Sequence, residues 1–285
     1  MLEYAFMQKA LAGGMIIALA CSVISFFVVV KRLAFMGMGV SHAAFGGLAI
    51  GLAAGVDPMW SAGGFCALVA LGIGWLSRRG RMHEDTTIGI LFTTAMALGV
   101  IVVGLARRYN LDLMSYLFGS VLAMSWADVV AAAVLAVMAL AFVVLFFKEL
   151  LFVSFDEETA IASGLPVRLV YYGLLITMAL TIVISIKLVG IILVSALLVI
   201  PGATGLQLSR NYRGVLRVSV LSGLVSMALG LYLSYRADIP SGATVVMVMF
   251  GLFLLAMVLS PRRPWMRRVA RGRRQGRIAD GDHPH

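Results

Sequence analysis

The sequence predicts an all-α integral membrane protein, a polytopic helical bundle of about nine transmembrane helices. Three observations lead to this fold class: the composition, the apolar segments and the placement of charge. The 285 residues are 61% hydrophobic and 13% charged, with a mean hydropathy of +1.01. A soluble domain carries roughly 25% charged residues, so this chain has too few to cover a water-facing surface. A soluble enzyme, a nucleic-acid-binding domain and a disordered protein are therefore excluded.

Nine segments are long and apolar enough to cross a bilayer, which takes about 20 residues of helix. They are residues 10–30, 33–54, 59–76, 87–106, 126–147, 170–186, 188–208, 215–235 and 242–260. The stretch 109–125 is apolar but short, and it fits a re-entrant or interfacial segment better than a span. Because no basic region or small-residue cleavage site precedes the first run, we expect that run to be a retained span and not a signal peptide.

The charges predict an orientation. The chain has 23 Lys and Arg against 13 Asp and Glu, a net charge of +10. With the N-terminus outside the cell, 18 of the 23 basic residues fall on cytoplasmic segments, as the positive-inside rule requires. We expect a multi-pass protein of a bacterial cell membrane with a transmembrane domain over 1–261. The basic tail, 262–285, is expected to be flexible, cytoplasmic and associated with anionic lipid rather than with nucleic acid.

Small residues within the spans indicate close helix packing. Gly47, Gly51 and Gly55 are spaced by four, which makes two overlapping GxxxG steps. Cys21 and Cys66 lie in separate apolar runs, so we expect two buried small hydrophobic side chains, not a disulfide or a metal pair.

His42 is the strongest candidate for a metal ligand. It lies about nine residues into the second span, roughly 14 Å from its inner end, and ionisable groups at that depth mark transport pathways. Met38 lies one turn earlier on the same face, and Ser41 directly precedes His42. A thioether beside an imidazole suits a borderline-soft transition metal. A structural hydrogen bond from His42 to a neighbouring helix is the alternative.

Carboxylates are expected at the outer ends of the spans, where they would attract cations to a pore mouth. They are Asp57, Asp112, Asp128 and Asp238. Of these, Asp57 and Asp238 are the candidates for metal contact. Solvated loop charges are the alternative.

Pro201 lies inside the seventh predicted span and must kink the helix or leave a carbonyl free. With Ser195 and Thr204 nearby, the kink is a candidate hinge or gate. A bend that only fits neighbouring helices explains the proline equally well.

The inner loop 154–166 predicts a short capped helix. Ser154 and Glu157 match a capping box, and the acidic residues Asp156, Glu157 and Glu158 suit the positive end of a helix. Gly164 and Pro166 would end it. A capped cytoplasmic helix between spans is typical of a docking element for a soluble partner. No GxxxxGK[ST] motif is present, so any ATP would be hydrolysed by another subunit.

Six blocks of sequence occur in order along the chain. They are KRLAFMG from Lys31 with SHAAFGG from Ser41, EDTTIGILF from Glu84, LFGSVL from Leu117, FDEETA from Phe155 with Gly164, VGIILV from Val189 with LLVIP from Leu197, and DIPSG from Asp238. Together, over about residues 7–260, they resemble the permease subunit of zinc, manganese and iron ABC importers.

This resemblance implies a type II ABC importer permease fold and three protein partners: a second copy of the chain, a cytosolic ABC ATPase dimer and an extracytoplasmic metal-binding protein. It also implies that the inner loop forms the coupling helix gripped by the ATPase, with Asp156, Glu157, Glu158, Ala160 and Gly164. The metal-contacting region would be the second span, where Ser41 and His42 match the family pattern.

One departure bears on the ion. Many members read Gly-Asp-Ala before the Ser-His pair, whereas this chain reads Gly37-Met38-Gly39, and Gly46-Gly47 stands where many have Pro-Gly. Loss of a hard oxygen ligand favours zinc over manganese. The resulting prediction is a permease domain for an ATP-driven, alternating-access importer of zinc first, then manganese or iron. The chain would be no enzyme and hold no cofactor, with ATP used by its partner.

Two other function classes fit the residues less well. An ion- or proton-coupled secondary transporter would use His42 as a proton relay, but it would not need a capped docking helix. An intramembrane zinc protease would need an HExxH motif, which neither His42 nor His83 begins.

Overall fold

The structure is a computed structural model that describes residues 5–79, 84–106 and 125–260. Within these ranges the chain forms twelve α-helices and no β-strand. They are α1 (Ala5–Val30), α2 (Ala34–Ala54), α3 (Pro58–Arg79), α4 (Glu84–Ala106), α5 (Trp126–Leu145), α6 (Phe147–Phe155), α7 (Glu157–Ala162), α8 (Val167–Val189), α9 (Ile191–Leu197), α10 (Ile200–Leu208), α11 (Tyr212–Ala237) and α12 (Ser241–Leu259).

Nine helical segments of the described chain are long and apolar enough to cross a membrane, with α9 and α10 counted together as one. This confirms the predicted all-α membrane bundle. The predicted segment 109–125 lies outside the described residues except for Ser125, which caps α5. The predicted tail 262–285 also lies outside them.

Two predicted spans differ from the structure. The fifth does not continue to residue 147, because Phe146 leaves helical geometry (φ −102°, ψ 22°) and a separate helix, α6, follows. The seventh does not begin at residue 188. Helix α8 runs on to Val189, and Gly190 (φ 84°, ψ 161°) turns the chain directly into α9. Only glycine adopts that backbone geometry without strain.

Three helices form the centre of the bundle. In α1, α2 and α8, 67% of the most apolar 18-residue window is buried, compared with 17% in α4. A helix that is apolar on all sides must have every face covered by protein or lipid. The large exposed apolar face of α4 is therefore left to lipid or to another protein chain.

Glycine allows α2 to lie against both α3 and α4 at close range. A Cβ atom at Gly47 would lie 2.7 Å from the Cα atom of Ala62 in α3, and one at Gly46 would lie 2.6 Å from the carbonyl oxygen of Ala95 in α4. The Ser61 hydroxyl also donates to the Gly47 carbonyl at 2.8 Å. A Cβ atom at Gly51 would likewise lie 2.9 Å from the Cα atom of Pro58, so the predicted glycine packing face is confirmed at Gly47 and Gly51. Gly55 has a different role, since it ends α2 in the left-handed conformation (φ +70°).

Several polar side chains within the spans donate to backbone carbonyls, which matters where no water is present. Thr181 donates to its own helix at Thr177, and Ser219 of α11 donates to the Ser22 carbonyl of α1. Cys21 and Cys66 are free and buried, which confirms the prediction for both.

The close approach at Gly47 gives a stability prediction. We expect Gly47→Ala to lower the apparent melting temperature in detergent, corresponding to about 1–3 kcal/mol, because its methyl group would overlap the α3 backbone. Gly64→Ala is the matched control on α3, since no atom lies within 4 Å of a Cβ placed there. Equal melting temperatures for the two variants would contradict this packing.

Candidate metal path and coupling helix

His42 lies on a narrow exposed strip of an otherwise buried helix. From Met36 to Ala49, every residue of α2 is buried except Met38, His42 and Phe45. With the exposed Phe35 these three residues form what we call the α2 stripe. Met38 is 43% exposed. The stripe is the surface of α2 that remains for a transported ion or another chain.

The hydrogen bonding of His42 determines which nitrogen is available. Its Nδ1 atom lies 2.9 Å from the Met38 carbonyl oxygen. Because a carbonyl only accepts, Nδ1 carries the proton, and the neutral ring has its lone pair on Nε2. The edge contact with Phe92 of α4, with ring centroids 5.4 Å apart, further fixes the ring. A ring nitrogen oriented by such a second hydrogen bond is a typical metal ligand.

Ser41 does not share this strip. It is fully buried, and its hydroxyl donates to the Gly37 carbonyl at 2.7 Å. The structure therefore brings Met38 and His42 together and turns Ser41 toward the protein interior.

The carboxylates lie at the far end of α2. Asp57 and Asp128 line one cavity of about 290 Å³ between α3, α5 and α8. Asp57 accepts a hydrogen bond from the Met59 N–H, while Asp128 pairs with Lys187 at 2.5 Å. Twelve residues of helix separate His42 from Ala54, about 18 Å by helical rise, so these carboxylates do not belong to one ligand sphere with His42.

The remaining carboxylates do not join that cavity. Asp238 caps the end of α11 in the left-handed conformation (φ 53°) and is not among the residues that line the cavity. Asp112 lies outside the described residues. Within the described chain, no three His, Cys, Asp or Glu side chains converge as a metal site.

Pro201 does not kink a continuous helix, because the helix is interrupted just before it; that Pro201 and Ser195 form a hinge or gate stays a prediction. Helix α9 ends at Leu197, Val199 breaks the helical geometry, and Pro201 lies in the first turn of α10. A proline in that turn costs no helical hydrogen bond because the N–H has no intrahelical partner there. The Ser195 hydroxyl donates within α9, to Ile191.

The break between α9 and α10 is anchored on both sides. The N–H of Gly202, an orphan donor at the start of α10, donates to the buried Ser25 hydroxyl of α1 at 2.9 Å. On the other side, Leu198 lies 3.3 Å from the position of a Cβ atom at Gly37. The interruption therefore abuts α2 one residue before Met38.

The short helix α7 exists, but its predicted cap is wrong. Ser154 belongs to α6 and donates to the Leu150 carbonyl. Asp156 is the N-cap, accepting from the Thr159 N–H at 2.9 Å and from its hydroxyl at 2.5 Å. These bonds from Thr159 stabilise the ionised carboxyl and lower the pKa of Asp156 below the ordinary aspartate value. The chain then turns away from α7 at Gly164 (φ +78°).

Helix α7 has one face on the bundle and one face open. Ala160 is fully buried, whereas Glu158 is exposed and Ile161 is 58% exposed. Phe155, just before the helix, is also exposed. Exposed apolar side chains beside an acidic one make this helix suitable for docking.

Glu157 turns back toward the bundle. Its carboxylate pairs with Arg78 of α3 at 2.7 Å and with Lys31, which precedes α2, at 3.7 Å. Both cations lie over the ring of Tyr171 in α8, 4.3 Å and 5.1 Å from its centroid. Sequence reasoning missed Lys31, Arg78 and Tyr171. The one signal in the sequence that could have indicated this cluster is the predicted orientation, which puts the segments of these three residues on the cytoplasmic side.

Comparison with known proteins identifies the family. The model of the ABC 3 transport family matches residues 3–260. The chain belongs to this family. It is 36% identical over 274 residues to the manganese transport system membrane protein MntC of Halalkalibacterium halodurans, covering 96% of this chain and 94% of that protein. It is 34% identical to a probable iron transport system membrane protein of Haemophilus influenzae, covering 92% and 96%.

A solved structure supports the same assignment. A chain of PsaBC from Streptococcus pneumoniae, in complex with a Fab, superposes with a TM-score of 0.83 at 29% identity, covering 93% of this chain and 96% of that one. The resemblance to metal-ion ABC permeases is confirmed. As a member of the ABC 3 transport family, the chain is a membrane transport subunit and not an enzyme.

The anchored break in this permease gives a second prediction. We expect Ser25→Ala to destabilise the protein by about 1–3 kcal/mol, because it leaves the buried Gly202 N–H without an acceptor. Ser195→Ala is the control, since that hydroxyl donates only within its own helix. Thermal unfolding in detergent measures both, and a Ser25→Ala melting temperature no lower than that of Ser195→Ala would refute the anchor.

Proposed function

We propose that this chain is the permease of an ATP-driven importer that carries a divalent transition metal, Mn²⁺ first, across a bacterial plasma membrane. The observation that carries the proposal is His42, whose Nδ1 atom is held by the Met38 carbonyl while Nε2 is available on the α2 stripe. Family membership supports transport, and the names of the relatives support a metal cargo.

The metal path is proposed to lie between two copies of the chain. His42 and Met38 are too few ligands for an ion, and no third His, Cys, Asp or Glu of the described chain converges on them. A second copy with its α2 stripe opposite would add a second imidazole and a second thioether. The exposed apolar surface of α4, whose Phe92 touches His42, would continue that interface. A site shared in this way binds weakly enough for the ion to leave.

The soluble partners are assigned to opposite ends of the bundle. The exposed face of α7, with Ile161, and the adjacent Phe155 at the end of α6 are proposed to seat a cytosolic ABC ATPase dimer. The end that carries Asp57 would receive the metal from an extracytoplasmic binding protein. This orientation places the N-terminus outside and the C-terminus in the cytoplasm, in agreement with the distribution of Lys and Arg.

The choice of ion rests on two opposed observations. Relatives named for manganese and iron transport favour those ions. The pairing of Met38 with His42 favours a softer ion, which keeps zinc as the second candidate. A direct comparison of radiolabelled manganese, iron and zinc in one uptake assay decides among them.

The uptake assay also tests the role of His42. In cells that express the permease with its ATPase, we expect His42→Ala to reduce metal uptake by roughly tenfold or more, because the oriented Nε2 ligand is lost. Ser41→Ala is the matched control, since its side chain is buried and bonded to Gly37. It should retain most of the uptake.

Other outcomes would reject specific parts of the proposal. Uptake that proceeds without an ATPase would favour an ion-coupled secondary transporter. Uptake that needs the ATPase but is unaffected by His42→Ala would move the metal path away from the α2 stripe.

A further inference from the structure

We propose that Glu157 and its ion pairs with Arg78 and Lys31 form an internal latch, which transmits movement of α7 to α2 and α3. In this proposal Glu157 does not contact the ATPase. This inference rests on the proposed function, in which α7 is the helix moved by the ATPase. Glu157 is therefore a positioning residue for transport: it acts on the metal path through the helices that it holds.

The latch joins four elements at one carboxylate. Glu157 at the start of α7 pairs with Arg78 at the end of α3 and with Lys31 at the corner between α1 and α2. Tyr171 of α8 lies beneath both cations. A shift of α7 thus acts on the end of α3 and on the start of α2. The Tyr171 ring of α8 contacts both cations and limits where they can lie.

The burial of the cations, above all Lys31, makes the interaction stronger than a fully exposed ion pair. The side chain of Lys31 is 8% exposed, that of Arg78 is 30% exposed and that of Glu157 is 38% exposed. Charges shielded from water interact through a lower effective dielectric, and a half-buried cation without its carboxylate is unfavourable. Both cations also lie within cation–π range of Tyr171. The arrangement therefore favours keeping the ion pairs of Glu157 with Arg78 and Lys31 intact when α7 moves.

Glu157 and Glu158 have different surroundings although they are neighbours. The carboxylate oxygens of Glu157 both face cations of the same chain, Oε1 toward Arg78 and Oε2 toward Lys31. Glu158 is exposed and forms no salt bridge within the described residues. The open face of α7 is thus left for a partner, while Glu157 faces inward.

Lys31 of the latch is close in sequence to the helix that carries the candidate metal ligands. Lys31 stands three residues before the first residue of α2, the helix that carries Met38 and His42. Helix α2 is in turn locked to α3, whose last turn holds Arg78, by the close approach at Gly47. A displacement of Glu157 would act on α2 through Lys31 and on α3 through Arg78, so the two helices would move together.

The structure also leaves space for such a movement. A cavity of about 260 Å³ lies beside the latch, lined by Lys31, Arg32, Glu157 and Tyr171 together with residues of α6. The side chains of Glu157 and Lys31 therefore border open space on this side of α7, while Ala160 keeps the opposite face of the helix packed on the bundle.

The test measures coupling rather than binding. The permease is reconstituted with its ATPase and its metal-binding protein in proteoliposomes, and metal transported per ATP hydrolysed is recorded with Mn²⁺. We expect Glu157→Gln to lower this ratio several-fold, while the ATPase still co-purifies with the permease. Glu149→Gln on α6 is the matched control, because Glu149 forms no salt bridge within the described residues. Its ratio should equal that of the wild type.

Further variants distinguish a latch from a general loss of structure. Arg78→Gln should also lower the ratio, and the double variant with Glu157→Gln should be no worse than Glu157→Gln alone, since the two residues act through one contact. Glu157→Asp, which keeps the charge, should restore part of the ratio. A merely structural role would lower the melting temperature and leave the metal-to-ATP ratio unchanged.

Three results would overturn the account. A wild-type ratio in both Glu157→Gln and Arg78→Gln would reject the latch. Loss of ATPase co-purification in Glu157→Gln alone would make Glu157 a docking contact instead. Absence of ATP-dependent uptake by the wild-type complex would reject the proposed function itself, a result distinct from the first two.

Discussion

The close packing of α2 between α3 and α4 is the constraint on which the candidate metal path depends. Glycine at Gly46 and Gly47 lets the backbones approach to a distance that a single methyl group would prevent. Because both flanks of α2 are covered, only Met38, His42 and Phe45 of the α2 stripe stay accessible between Met36 and Ala49. The same packing puts Phe92 of α4 against the His42 ring. The position and the tautomer of His42 therefore follow from helix packing and from one hydrogen bond within α2.

The break between two helices of the bundle, α9 and α10, lies next to the α2 stripe. The break between α9 and α10 contacts Gly37 through Leu198, and Ser25 of α1 supplies the acceptor that the new helix start requires. Interrupted helices are frequent at transport sites because backbone that leaves the helix is tolerated only where protein or a cavity surrounds it. Here the break is held from two sides. The proposed movement during transport therefore involves helices that shift as units, with α7 and its Glu157 contacts at one end.

Much of the fold was predictable from sequence because the signals are local. Apolar runs of sufficient length define nine spans, and helical periodicity alone puts Met38 and His42 on one face. The features that sequence reasoning missed depend on distant contacts. Gly202 finds its acceptor 177 residues away in Ser25, and Glu157 finds Arg78 79 residues away. The cap of α7 was misassigned because Ser154 and Asp156 both suit an N-cap, and the continuation of α6 to Phe155 leaves only Asp156 available.

The transported ion is proposed to be held by His42 residues from two copies of the chain. The most direct test is the amount of Mn²⁺ bound to the purified permease at saturating metal, measured by electron paramagnetic resonance for the wild type and for His42→Ala. We expect one ion for each pair of chains and loss of that ion in the variant. One ion for every chain, retained in His42→Ala, would contradict it.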